Sequence, residues 1–159
     1  MSSDQDYVFS VPAANWLQTN LAEEAGGTPI WTDANQAGGW SDINMEQIVS
    51  WNPDEIFIIN YQGEALEIVA QLKNDSIWQN LKAVKNETVY AFPSDYLSWD
   101  QPDPRWILGY SWLALKLNSE NIKAEEIQEL ITNFYSDFYS LSDETIREEI
   151  IPRIADYLK

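Results

Sequence analysis

The stretch GGWSDINMEQIVSWNPDEIFIINY, residues 38–61, decides the fold class of this chain. Asn44 and Gln47 have the spacing of a capping box, so the stretch predicts a short helix over residues 45–51. The run that follows, residues 56–59, is continuously apolar and rich in β-branched side chains, which is typical of a strand covered on both faces. A helix that leads into such a strand predicts an α/β domain with a parallel sheet.

The rest of the chain alternates strands with helices and ends in helices. Further strands are predicted over residues 7–11 and 88–92, and residues 28–39 are predicted to be a loop. The predicted helices cover residues 15–25, 64–73, 104–117, 123–139 and 142–154. These elements predict the α/β class: a three-layer α/β/α Rossmann-like lobe with a mostly parallel central sheet and a helical C-terminal third. We expect one domain over residues 1–159, with residues 1–6 disordered or foreign to it.

Glycine, proline and capping side chains predict where these helices begin and end. Gly26 supplies the left-handed position that ends the first helix. Asp103 is expected to cap the helix that Pro104 opens. Ser142 is expected to cap the last helix, and Pro152 predicts a kink or a break within it.

Composition excludes several classes of function. The 26 acidic and 9 basic residues give a net charge of −17, which repels phosphate backbones and anionic lipids, so nucleic acid is not an expected partner. The chain has no His and no Cys, which excludes Ser-His and Cys-His catalysis and imidazole or thiolate metal sites. Met1 is followed by polar SSDQD rather than by an export signal, so we expect a cytosolic protein or a domain of a longer exported one.

The ligand-binding edge is predicted from the points where the strands end. Ligands of open parallel sheets bind at the carboxyl ends of the strands. The segments after Val11, Ile59 and Phe92 leave the predicted sheet at that edge. Trp40, in the loop before the short helix, is placed beside the same rim.

Loop aromatic residues are the candidate ligand contacts. Trp40, Tyr96 and Trp99 stand among Gly, Ser and Asp, whereas tryptophans in helical patterns are expected in the core. The three Asp of residues 93–104 lack the glycine turn and the bidentate Glu of a calcium loop, so we predict no metal site. No nucleophile is paired with a base, and no cofactor is expected.

Four quoted stretches in this order carry a family resemblance. They are GGW at 38–40, NPDEIFII at 52–59, W..LKAVKN..VY.FPSDY at 78–96 and PR at 104–105. The series resembles the C-terminal lobe of the substrate-binding proteins that serve ABC importers of iron-siderophore, heme and cobalamin-type complexes. Those proteins hold the ligand in a cleft between two α/β lobes joined by a long helix. The resemblance implies that an N-terminal lobe is missing from this chain.

The resemblance also implies roles for individual residues. Trp40 matches an aromatic that stacks on a bulky ligand, and Asp95, Tyr96 and Trp99 match further cleft contacts. Glu46 matches the surface acid that docks on basic residues of the membrane permease. A carboxylate in the first turn of a helix is also stabilised by the helix dipole, which explains Glu46 without docking.

The implied function is capture of an iron complex, such as a siderophore or heme, or of a corrinoid, and its delivery to an ABC permease. The full-length protein is then expected outside the cytoplasm, held at the membrane only through the permease or a lost anchor. The stretch that matches the family's anion-binding Arg, residues 98–100, carries no base. The resemblance therefore does not extend to a preference for anionic siderophores.

Two alternatives remain open. The acidic composition also suits a noncatalytic interaction domain that binds a basic partner. A carboxylate-pair glycosidase would need Asp95 and Asp100 roughly 5 to 9.5 Å apart in one pocket.

Overall fold

The structure, a computed structural model, describes residues 8–36, 38–118, 120 and 123–159. The expectations for residues 1–6 and for the first residue of the predicted strand 7–11 lie outside these residues. The strands are β1 (Phe9–Pro12), β2 (Trp40–Ile43), β3 (Ile56–Ile58) and β4 (Val89–Ala91).

Helices follow the strands and then fill the last third of the chain, as predicted. The longer helices are α1 (Leu17–Glu24), α2 (Met45–Trp51), α3 (Ala65–Asn74), α5 (Trp106–Leu117) and α6 (Ala124–Tyr139). The short ones are α4 (Lys82–Lys85), α7 (Asp143–Thr145) and α8 (Ile151–Ile154). None of the helices in the described ranges is long and apolar enough to cross a membrane.

The parallel pair β3–β4 is covered on both faces. Its side chains alternate between two cores, because successive residues of a strand point to opposite sides. Phe57 and Tyr90 pack with α1, α5 and α6, whereas Ile58 and Val89 pack with α2, α3 and α4. The α/β class and its layered arrangement are therefore confirmed, and the apolar run of residues 56–59 was the correct signal.

The sheet is smaller and less parallel than the sequence predicts. Strands β1 and β2 form a separate antiparallel pair, with Phe9 opposite Ile43 and Pro12 opposite Trp40. Trp40 was expected in a loop and instead begins β2. The strand escapes detection because it has four residues, includes the poor strand formers Ser and Asp, and exists through a pairing distant in sequence.

The predicted capping box at the start of α2 is confirmed. The Asn44 side chain accepts from the Gln47 backbone N–H at 2.9 Å, and the Gln47 side chain accepts from the Asn44 backbone N–H at 3.0 Å. Asn52 adopts a left-handed conformation, φ +43°, and ends the helix just before Pro53. The same device ends α1, where Gly26 has φ +99°.

Helix α5 lies against the loop that follows β4. The Cα of Gly109 approaches this loop so closely that an added Cβ would lie 2.4 Å from the Trp99 carbonyl oxygen. One turn on, the Trp112 indole donates to the Tyr157 carbonyl at 2.9 Å and joins α5 to the C-terminus. The prediction that Asp103 caps this helix is wrong. Arg105 is the residue before the first turn, and the Asp103 carboxylate accepts the backbone N–H of Arg105 instead of a helical amide.

The C-terminal segment shows the predicted cap and an irregularity near proline. The Thr145 backbone N–H donates to the Ser142 hydroxyl at 3.2 Å. A wider, π-helical turn over Ile146–Ile150 separates α7 from α8, which contains Pro152. Pro152 has no backbone N–H to donate within the helix, and the irregular turn lies directly before it.

Substituting Gly109→Ala is expected to destabilise the domain by about 1–3 kcal/mol, because the new methyl group would overlap a backbone carbonyl that has no room to move. Urea denaturation measures the change. Gly63→Ala is the control, since its Cβ would meet only the flexible Asn60 side chain, and it should change stability by less than about 0.5 kcal/mol. Equal stability of the two variants would contradict this packing.

Removing the α2 cap with Asn44→Ala should cost about 1 kcal/mol, because the Gln47 backbone amide loses its side-chain partner. Thermal denaturation followed by circular dichroism is the measurement. Asn44→Ser keeps a capping oxygen and should recover most of the loss. The capping role would be refuted by an Ala variant as stable as the Ser variant.

Candidate functional site

The main candidate site is a surface cavity of about 280 Å³ at the carboxyl edge of the strands. We call it the aromatic cleft. It is lined by Trp16, Leu17, Gln18, Trp40, Tyr61, Gln101 and Pro102.

Three aromatic rings form a row along this cleft. The ring centres of Trp16 and Trp40 are 5.7 Å apart, and those of Trp40 and Tyr61 are 6.2 Å apart, both in edge-on geometry. Trp40 is 41% exposed, so part of its ring is open to solvent. Such a row offers apolar surface to a bulky or planar ligand.

The segments predicted to meet at the ligand edge do meet there. Trp16 follows β1, Tyr61 follows β3 and Gln101 lies in the loop after β4. Trp40, from the start of β2, lies beside them. The sequence therefore predicted which segments meet at this cavity, and ligand binding there stays a prediction.

Polar contacts hold the loop that leads to Trp40. The Asn35 side chain is buried, and its amide donates to the carbonyls of Val11 and Gly39, each at 2.9 Å. The Trp31 indole donates to the Pro12 carbonyl at 3.1 Å. These bonds tie the loop to β1 and so position the Trp40 ring.

Asp100, only 1% exposed, joins the segments beneath the cleft. The Gln18 amide nitrogen lies 3.1 Å from its carboxylate and 3.2 Å from its backbone carbonyl. The hydroxyls of Tyr61 and Ser98 also donate to this carboxylate. One buried charge thus connects α1 with the loops after β3 and β4.

The Tyr61 hydroxyl is held in its protonated form. Burial raises its pKa, and the hydrogen bond and negative charge of Asp100 raise it further. The neighbouring amides of Gln18 and Gln101 act in the opposite direction but do not outweigh these effects. Tyr61 is therefore a neutral donor to Asp100 at physiological pH.

Asp95, predicted to contact the ligand, lies inside the fold. Its carboxylate has no exposed surface and pairs with the Arg105 guanidinium at 3.3 Å. It also accepts from the Tyr135 hydroxyl and from the backbone amides of Tyr96 and Leu97. These contacts give Asp95 a structural role, which is to join the loop after β4 to α5 and α6.

The other two predicted loop contacts are also away from the aromatic cleft. Trp99 is fully buried in the core beside α5, so its ring is closed to a ligand. Tyr96 is 55% exposed, and the Arg153 guanidinium lies 4.2 Å from its ring centre. A separate polar hollow of about 150 Å³ is lined by Gly63, Glu64, Ser94, Asp95, Arg153 and Tyr157.

The remaining predicted residues are placed as follows. Glu46 is exposed in the first turn of α2. Asp95 and Asp100, the pair a glycosidase would need, are each buried and bonded to protein groups. Neither carboxylate opens into the aromatic cleft as a free acid or nucleophile.

Sequence reasoning missed most of the side chains that line the cleft. Tyr61 and Gln101 lie in loops assigned to the carboxyl edge of the strands, whereas Trp16 and Gln18 lie in the predicted helix 15–25, just beyond the turn assigned to that edge. The available signal was their position shortly after a strand, and the misleading signal was the unusual composition of residues 93–104. In that loop the residues Ser98, Trp99 and Asp100 are buried in the protein rather than exposed to a ligand.

Comparison with known proteins places this fold in a family. A family model described as periplasmic binding protein matches residues 1–96. The molybdate-binding protein MolA of Haemophilus influenzae is 29% identical over 105 residues, which cover 65% of this chain and 29% of MolA. The Fe(3+)-citrate-binding protein YfmC of Bacillus subtilis is 39% identical over 51 residues, which cover 32% of this chain and 16% of YfmC.

A solved structure agrees over nearly the whole chain. The periplasmic solute-binding protein of Veillonella parvula superposes with a TM-score of 0.71 at 25% identity, over 94% of this chain and 45% of its own. This chain thus spans less than half the length of each of these relatives, all of which are named as binding proteins. The matched family model extends over more than half of the chain, and the chain belongs to the periplasmic binding protein family.

Proposed function

We propose that this chain is the ligand-binding lobe of an ABC transporter's substrate-binding protein, and that the aromatic cleft is its half of the ligand site. The observation that carries the proposal is the row of Trp16, Trp40 and Tyr61 at the carboxyl edge of the strands. Binding proteins of this kind act by capture, with no chemical step.

The size of the cleft supports a shared site. Its volume of about 280 Å³ is just below the range of roughly 300–1,000 Å³ that complete ligand pockets occupy. The chain also spans only 45% of the length of the Veillonella parvula solute-binding protein. A second lobe would supply the opposite wall and exclude water from the ligand.

The ligand we propose is a metal complex, either an iron siderophore, heme or a corrinoid. MolA and YfmC are named for molybdate and Fe(3+)-citrate, so metal-containing ligands recur among the relatives. Aromatic faces suit the organic part of a chelate, because they bury apolar surface without requiring one fixed hydrogen-bond pattern. The complete protein would work outside the cytoplasm and hand the complex to a membrane permease.

Glu46 is our candidate for docking on that permease. Its carboxylate is exposed at the start of α2, a helix whose first turn is fixed by the Asn44 capping box. A rigid, solvated acid is suited to an ion pair with a basic residue of a partner protein.

Substituting Trp40→Ala is expected to weaken ligand binding about tenfold or more, because the variant loses the central ring of the row. Intrinsic fluorescence, corrected for the inner-filter effect, is measured while ferric siderophores, hemin and cyanocobalamin are added. Trp106→Ala is a matched control, since Trp106 is also 41% exposed but lies outside the cleft. The proposed function would be contradicted if none of the three kinds of ligand quenched the fluorescence saturably, or if the two variants bound with equal affinity.

Reversing the charge with Glu46→Lys should reduce binding to the cognate permease in nanodiscs by tenfold or more at low salt, since attraction becomes repulsion. Surface plasmon resonance at two salt concentrations measures the affinity for the permease. Glu67→Lys is the control, because Glu67 is exposed in the first turn of α3. Equal losses in both variants would show a general charge effect and refute docking through Glu46.

A further inference from the structure

The hydrogen bonds beneath the aromatic cleft have a defined direction. The Asp100 carboxylate and backbone carbonyl can only accept, so the Gln18 nitrogen and not its oxygen must face them. For the same reason the Tyr61 proton points to Asp100. Two polar side chains of the cleft therefore direct donor hydrogens inward.

This direction determines what the cleft presents to a ligand. The Gln101 side chain lines the aromatic cleft together with Tyr61. With its nitrogen turned to Asp100, Gln18 keeps its amide oxygen as an acceptor, and the lining residues Trp16 and Trp40 carry neutral indole donors. The polar side chains that line the aromatic cleft are thus neutral groups, so they offer an oxyanion hydrogen bonds without a balancing positive charge.

Charge acts in the same direction. Among the described residues, no Lys or Arg lines the aromatic cleft, while the Asp100 carboxylate lies directly beneath it. Arg105 is paired with Asp95 and Asp103. Arg153 covers the Tyr96 ring and lines the separate polar hollow. An anion in the cleft would lose water and meet a buried negative charge without a countercharge.

We propose that the aromatic cleft selects its ligand by charge: Asp100, with Tyr61 and Gln18 turned toward it, favours a neutral or cationic metal chelate and excludes oxyanions and anionic chelates. This inference rests on the proposed function and narrows it. It separates this chain from MolA and YfmC, whose named ligands are an oxyanion and a complex of a tricarboxylate.

The test compares chelates that differ in charge. Gallium replaces iron so that the complexes are diamagnetic, and the probes are a trihydroxamate of charge +1, a tricatecholate of charge −3 and molybdate. The ¹⁵N-labelled full chain is titrated while the indole N–H signals of Trp16 and Trp40 are followed, a measurement that also detects millimolar affinities. Single Trp→Phe variants assign the signals.

The trihydroxamate is expected to bind at least tenfold more tightly than the tricatecholate, and molybdate is expected to leave both indole signals unchanged. Asp100→Asn, which removes the buried charge with little change of shape, should reduce this preference to less than threefold. Asp137→Asn removes one exposed charge on α6 and should leave the preference as it is. The wild-type comparison stands even if the Asp100 variant fails to fold.

The outcomes separate this inference from the function on which it rests. Equal or tighter binding of the anionic chelate, seen at Trp40, would overturn charge selection and leave the ligand-binding lobe intact. An unchanged preference in a folded Asp100→Asn variant would remove Asp100 as its cause and overturn the inference. If neither chelate moves the Trp16 or Trp40 signal, the inference of charge selection fails, and the proposed function fails with it if hemin and cyanocobalamin also leave both signals unchanged.

Discussion

Burial of both faces of the β3–β4 pair is the constraint on which the rest of the structure depends. A parallel pair needs a crossover between its strands, and here α3 and α4 form it on one face. Helices α1, α5 and α6 cover the other face. With both faces closed, the carboxyl ends of the strands remain open to solvent. The aromatic cleft lies at that edge and is lined by segments that follow β1, β3 and β4.

A second constraint operates at that edge, where Asp100 is buried. A carboxylate removed from water must be paired with donors, because its desolvation otherwise costs several kilocalories per mole. Gln18, Tyr61 and Ser98 supply those donors from separate segments. The same bonds therefore satisfy a structural need and set the polarity of the cleft. The shape of the cleft and its proposed preference for uncharged or cationic ligands thus both depend on Asp100.

The positions of Asp95, Asp100 and Glu46 bear on the two alternative functions, a glycosidase and an interaction domain. A glycosidase needs free carboxylates around a pocket, whereas Asp95 and Asp100 are both bonded within the protein. The relatives are named as binding proteins, which agrees with a noncatalytic lobe. The strongly acidic surface also agrees with an interaction role, and docking through Glu46 would be such a role within the transport function.

The sequence by itself determined the class of fold, the capped helix α2, the buried strand β3 and the edge of the sheet at which the loops after the strands meet. Each of these follows from local patterns: residue spacing, apolar runs and the points where strands end. Only the tertiary structure decided which side chains line the cleft. Trp40 reaches it, whereas Trp99 and Asp95 turn into the core. The physical reason is that an aromatic ring in a loop can bury its surface against a ligand or in the core, and a loop carboxylate can bind a ligand or hydrogen-bond donors inside the protein. That choice depends on partners distant in sequence, such as Arg105 and Tyr135 for Asp95.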